Sequence, residues 1–196
     1  MAGKKVYTEI SEIIDKSHTA LVVWDVQNML VERIFNKDEF MSNLNKLIDS
    51  ARKTGIAIFY TKITPLPERF ESKARLAAMK NFGQPGTNKG MLDLVVQPAS
   101  GEIVISKNTA SLFIGTNFEL MARNAGIETI VFTGIATEIG IESSAREAAN
   151  RGFYSVVAKQ AVSSSEKEAH LRSLENMKKV VILAGVDEIL NAWTNK

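Results

Sequence analysis

Short apolar runs alternate with longer helical patterns along the whole chain, and this rhythm restricts the fold more than any other feature. Residues 20–25 (Ala-Leu-Val-Val-Trp-Asp), 56–60, 102–106, 129–133, 154–158 and 180–183 read as strands. Several are apolar at consecutive positions, the pattern of strands covered on both faces of a parallel sheet. Between them Phe40, Leu44, Leu47, Ile48 and Ala51 recur at helical spacing, and Gly55 stands where a helix C-terminus wants a left-handed residue. Residues 116–125 before Gly126 and 137–151 before Gly152 repeat that grammar. Ser165-Glu166-Lys167-Glu168 has the capping-box form ahead of Leu171 and Leu174, and 186–193 reads as a closing helix. Strand–helix alternation of this kind implies right-handed βαβ crossovers. The expected fold is therefore α/β: a doubly wound, mainly parallel six-stranded sheet with helices on both faces, a Rossmann-like three-layer sandwich. A single domain spanning 1–196 is expected.

One segment breaks the rhythm. Residues 63–99 hold all four prolines (Pro65, Pro67, Pro85, Pro98) together with Gly83, Gly86 and Gly90. The segment reads either as a lid-like insertion that binds substrate or as a surface excursion containing a helix near 72–80.

Composition narrows the chemistry. With 45% hydrophobic residues in 196, the chain has enough apolar surface for a real core. Its 24 Lys+Arg against 22 Asp+Glu leave a net charge of +2, which gives no bulk electrostatic case for nucleic acid or an anionic membrane. No apolar run approaches the roughly 20 residues of a membrane span, and Glu9, Glu12, Asp15 and Lys16 break up the start of the chain. A cytoplasmic location is expected. There is no cysteine, which excludes disulfides, a thiol nucleophile, Fe–S clusters and sulfur-ligated zinc. Neither a metal nor a cofactor is expected; the expected partner is a small-molecule substrate.

Ligands of open α/β sheets bind outside the carboxyl ends of the strands, so the polar residues closing each apolar run are the candidates. Asp25 ends the first run, with Gln27 and Asn28 just beyond. An aspartate there needs a partner or will hold a proton, unless it merely caps the loop. Lys107 ends the third run and is either the counter-ion of Asp25 or a solvated lysine. The fourth run leads through Gly134, Ala136 and Thr137 to Gly140 at the start of a helix, where the N–H groups of Ile139 and Gly140 are placed to bind a carboxylate or oxyanion. Arg69 is a candidate carboxylate clamp from the insertion, or a solvent-facing arginine. His18 and His170 read as surface histidines. The Gly86–Gly90 stretch lacks the Gly-Lys-Ser/Thr ending of a phosphate loop, and no Gly-x-Gly-x-x-Gly follows the first strand.

These residues resemble a known family. Val22-Val23-Trp24-Asp25-Val26-Gln27-Asn28 is similar to the first-strand aspartate motif of the isochorismatase-like (cysteine hydrolase) superfamily. Ser106-Lys107, followed by Ser111-Leu112-Phe113 and Thr116, resembles its lysine motif, and 133–145 resembles its nucleophile-elbow segment. The resemblance runs from Thr19 to the final helix. It implies an Asp–Lys–Cys triad, which carries over to Asp25 and Lys107 with Gly140 in the nucleophile slot, so covalent thioester chemistry is excluded. Ser143 and Ser144 lie a helical turn beyond and have no histidine partner. The metal-binding histidines of nicotinamidases have no counterpart after Tyr60-Thr61-Lys62.

What the resemblance implies instead is hydrolysis of a vinyl ether on a small carboxylated substrate, as in members with glycine in that slot. Asp25 would be the general acid and Lys107 its electrostatic partner, with Gly140 making room for a cyclic substrate. Gln27, Phe113, Ala136, Thr137, Ile139 and Arg69 are the expected substrate contacts. Burial raises an aspartate's pKa and an adjacent ammonium lowers it; the sequence leaves the sign open. One rival is a non-catalytic binding or scaffold paralogue of the cysteine hydrolases. Another is hydrolysis of a different substrate class by water activated on Asp25. A homodimer or homotetramer is also implied.

Overall fold

The sheet is organised around β1 (Thr19–Trp24), every residue of which is buried. In the computed structural model, which describes residues 3–82 and 90–194, β1 lies between β2 (Ala57–Ile63) and β4 (Thr129–Ile135). Outside these run β3 (Ile103–Lys107), β5 (Tyr154–Ser163) and β6 (Ile182–Ala184), in the order β3-β2-β1-β4-β5-β6. All neighbouring pairs are parallel. The six-stranded parallel sheet is the architecture expected from the alternation, with the last strand starting two residues later than its apolar run.

Eight α-helices punctuate the described chain: α1 (Ile10–Ile13), α2 (Asn28–Val31), α3 (Lys37–Thr54), α4 (Lys73–Phe82), α5 (Phe118–Asn124), α6 (Glu142–Asn150), α7 (Lys167–Met177) and α8 (Val186–Thr194). Strand residues alternate between two cores. Leu21 and Val23 join Phe40, Leu44, Leu47 and Ile48 of α3 and Ile189 and Trp193 of α8. Ala20, Val22 and Trp24 point the other way, onto Phe118 of α5, Ala145 and Ala148 of α6 and Met177 of α7. The four large apolar side chains of α3 each contribute roughly 1.5–3 kcal/mol on burial. That outweighs an exposed ion pair such as Lys37–Glu32, worth about 1 kcal/mol at most. Gly55 ends α3 with φ 75°, as its position predicts.

Local chemistry alters three expected boundaries. Thr116 turns its hydroxyl back to the Leu112 carbonyl, and α5 begins only at Phe118. The helix expected from residue 137 opens with a π-helical turn, Thr137–Ile141, before α6. The capping box does not form: Glu166 is the N-cap of α7, and Ser164 rather than Ser165 accepts a hydrogen bond from a backbone N–H, that of Glu166, at 3.3 Å.

Both histidines are buried, contrary to expectation. His18 stacks on Tyr7 at 4.7 Å with Nε2 3.2 Å from the Ile13 carbonyl. His170 pairs through Nδ1 with Thr137 Oγ1 at 2.8 Å. Of the proline- and glycine-rich segment, Gly83, Pro85 and Gly86 lie outside the described residues. The part before them holds a 3₁₀ turn, Glu68–Phe70, and α4.

Candidate active site

The chain leaves β1 toward β2 and β3 on one side and later returns to β4, β5 and β6 on the other. The carboxyl ends of β1 and β4 therefore flank the switch point where open α/β sheets bind ligands. Asp25 is the first residue after β1. It is 2% exposed and holds φ 48°, a left-handed conformation uncommon for a residue with a side chain. Its N–H donates to Thr61 Oγ1 at 3.1 Å, and the same hydroxyl donates to Asp25 Oδ1 at 2.6 Å.

Lys107 closes β3 and reaches across β2 to the other carboxylate oxygen. Its Nζ donates to Asp25 Oδ2 at 2.6 Å and to the Thr109 carbonyl at 3.3 Å. The two side chains are 2% and 3% exposed. Burial pushes the Asp25 carboxyl above its ordinary range, even though the Lys107 ammonium and the Thr61 hydroxyl pull it down. Burial likewise pushes Lys107 below the ordinary lysine value against the pull of Asp25, with the charge of Arg75 acting in the same direction as burial. The question the sequence left open is thus decided in favour of desolvation.

Trp24 forms the floor beside this pair. Lys107 Nζ stands 3.9 Å from the centre of its ring, a cation–π contact. Two glycines make space for the residue. A Cβ on Gly134, paired with Trp24 across the sheet, would lie 2.0 Å from the Trp24 carbonyl oxygen. A Cβ on Gly140 would lie 2.1 Å from Trp24 Nε1. This corrects the expectation that Gly140 makes room for a cyclic substrate, because the indole already occupies that room. The Ile139 N–H is also engaged, donating to the Ala136 carbonyl at 3.3 Å.

Above the pair opens a cavity of about 430 Å³. Asp25, Lys107, Trp24, Ala136, Ile139 and Gly140 line it, together with Leu30, Ile63 and Ile135 and the polar residues Arg75, Asn108 and Thr109. Other expected contacts lie elsewhere. Gln27 is fully buried and works as a strap: its Oε1 accepts from the Ile63 N–H at 2.8 Å, and its Nε2 donates to the carbonyls of Leu92 at 2.6 Å and Ile63 at 3.3 Å. Phe113 packs in the core against Phe118. Thr137 turns its hydroxyl to Ser163 O and His170, away from the cavity lining. Arg69 is exposed on the 3₁₀ turn, and the arginine at the cavity is Arg75 of α4. Sequence reasoning missed Trp24 and Arg75. Trp24 stands inside the first-strand aspartate motif, and its bulk beside Asp25 was the available signal. Among the described residues, no group of three or more His, Cys, Asp or Glu side chains is placed to hold a metal ion.

The model of the isochorismatase domain matches residues 19–188. The chain belongs to the isochorismatase family. It is 33% identical over 187 residues to the isochorismatase family protein YecD of Escherichia coli O157:H7, covering 89% of this chain and 95% of that one. It is 28% identical over 172 residues to the ureidoacrylate amidohydrolase RutB of Agrobacterium fabrum, covering 74% and 75%. A cysteine hydrolase from Pseudomonas syringae pv. phaseolicola 1448A shares the fold with a TM-score of 0.86 at 16% identity, over 100% of this chain and 99% of that one. Unlike an enzyme that works through a thiol, this isochorismatase-family chain has no cysteine to ionise. Among the described residues, the hydroxyl side chain on the cavity wall, Thr109, is occupied with the backbone of Ser111.

Proposed function

We propose that this chain is an isochorismatase-family hydrolase that works without a covalent nucleophile, cleaving a small carboxylated substrate of the vinyl-ether type with Asp25 as general acid. The observation that carries this reading is the buried Asp25–Lys107 pair on the cavity wall, 2.6 Å apart, in a chain without cysteine. Vinyl ether hydrolysis needs a proton at the enol carbon and then water at the resulting oxocarbenium carbon. A carboxylic acid whose neutral form is favoured by burial suits the first step. Asp25 then accepts a proton as water adds, and collapse of the hemiketal releases a ketone and an alcohol. Lys107 and Thr61 hold the carboxyl group in place throughout.

The charge of the cavity supports an anionic substrate. With Asp25 protonated, the Lys107 ammonium beside it is uncompensated, and Arg75 adds a further positive charge at the wall. Its Nε is 3.4 Å from Glu71, a loose contact that leaves the guanidinium donors for a carboxylate. In this reading Gly140 takes the place of the family's thiol.

A non-catalytic binding paralogue is the rival. A buried ion pair is weak evidence for stability, since an apolar replacement is often as stable; its presence on a cavity wall is better explained by chemistry. The test is pyruvate release from isochorismate by the purified protein, with Asp25→Ala in parallel. Release that requires Asp25 is expected. Binding of isochorismate without turnover would establish the rival.

A further inference from the structure

The two tryptophans of this chain hold their indole N–H groups differently. Trp193 is fully buried and its Nε1 donates to the Ile14 carbonyl at 3.0 Å. Trp24 is 1% exposed, and among the described residues its indole N–H is paired with no acceptor. Its Nε1 is not one of the fully buried unpaired side-chain atoms, which among the described residues belong to Ser50, Glu138 and Ser155, so this donor faces the cavity and is free for an acceptor that enters it.

The surroundings say what that acceptor is. Trp24 lines the cavity, and its indole edge packs against Gly140, where any Cβ would overlap Nε1 at 2.1 Å and push the ring out of place. The Lys107 ammonium, 3.9 Å over the ring, draws electron density from the indole and strengthens its N–H as a donor. With Arg75 on the same cavity wall, the site favours a negatively charged oxygen. We propose that the Trp24 indole N–H donates a hydrogen bond to a carboxylate oxygen of the substrate bound in the cavity, making Trp24 a binding residue and Gly140 the residue whose missing side chain lets the indole sit at the cavity wall. The carboxylate class rests on the functional reading above; the donor role rests on the unpaired N–H.

Indole N–H resonances test this directly. In ¹⁵N-labelled protein the chain gives two such signals, since it has two tryptophans, and Trp193→Phe assigns them. Titration with benzoate and with pyruvate should move the Trp24 signal downfield and leave that of Trp193 in place. Binding seen in the backbone amides of Ala136 and Gly140 without movement of the Trp24 indole would overturn the proposal alone. Absence of binding by either probe would overturn it together with the carboxylate reading. If both probes bind through Trp24 but isochorismate is not turned over, the donor role stands and the vinyl-ether reading falls. Trp24→Phe keeps a ring beneath Lys107 and removes the N–H; it should weaken binding of the probe roughly tenfold or more. Unchanged affinity in that variant would also overturn the proposal, because a purely space-filling indole predicts it.

Discussion

Trp24 and Gly140 are matched in volume: the indole of one fills the space that any side chain on the other would need, with a Cβ on Gly140 falling 2.1 Å from Nε1 and 2.3 Å from Cε2. Gly140 lies in a helical turn, where alanine is ordinarily preferred by about 1 kcal/mol. The overlap reverses that preference. Gly140→Ala should destabilise the protein by about 1–3 kcal/mol in urea unfolding. Combining it with Trp24→Val should cost less than the sum of the two single changes. Strictly additive costs would show that the two residues are not matched.

The Asp25–Lys107 pair predicts a pH dependence with a definite sign. Burial raises Asp25 above its ordinary value of 3.8, so the folded chain holds a proton that the unfolded chain releases. The stability contributed by Asp25 is complete below that ordinary value and is lost as pH rises through the raised folded value. Activity through a protonated Asp25 should fall over the same upper limb, with an apparent pKa that belongs to the pair. Asp25→Asn should remove that limb and lower kcat/KM by about 10²–10⁴-fold. A kcat/KM that still titrates normally in this variant would assign the acid elsewhere.

Arg75 and Arg69 are separated by function. Arg75→Met should raise KM for a carboxylated substrate about tenfold or more, from loss of a charge-assisted hydrogen bond. Arg69→Met, on the exposed turn, should leave KM unchanged. Steady-state kinetics of both variants would reverse the assignment if the effects were exchanged.

Gln27 gives a prediction about stability rather than binding. Gln27→Met keeps the volume of a fully buried side chain but strands the Ile63 N–H and the Leu92 carbonyl. At about 1–3 kcal/mol for each group left unpaired, the loss should be about 2–6 kcal/mol. The urea midpoint measures it, and an unshifted midpoint would mean that the strap does not hold the segment.

Several expected residues were misplaced for one reason: a polar side chain near a strand end is legible as polar, but its direction is not. Asp25 and Lys107 stood at strand ends and met. Thr137 and Gln27 stood equally close and turned inward, to His170 and Ser163 and to the backbone of Ile63 and Leu92. His170 is likewise a single polar residue on an amphipathic helix, and its burial follows from partners far away in the chain, Thr137 across 33 residues and the ring of Phe35.

The order of elements, the parallel sheet, the end of α3 at Gly55 and the candidacy of Asp25 and Lys107 were determined by the sequence alone. They follow from periodicity, from glycine's access to positive φ and from the cost of polar groups at the end of a buried strand, all of which are local. The sign of the Asp25 shift, the choice of Arg75 over Arg69 and the filling of the space before Gly140 by Trp24 were decided only in the tertiary structure. Each depends on distances between segments far apart in the chain, where desolvation and steric overlap act and sequence spacing carries no information.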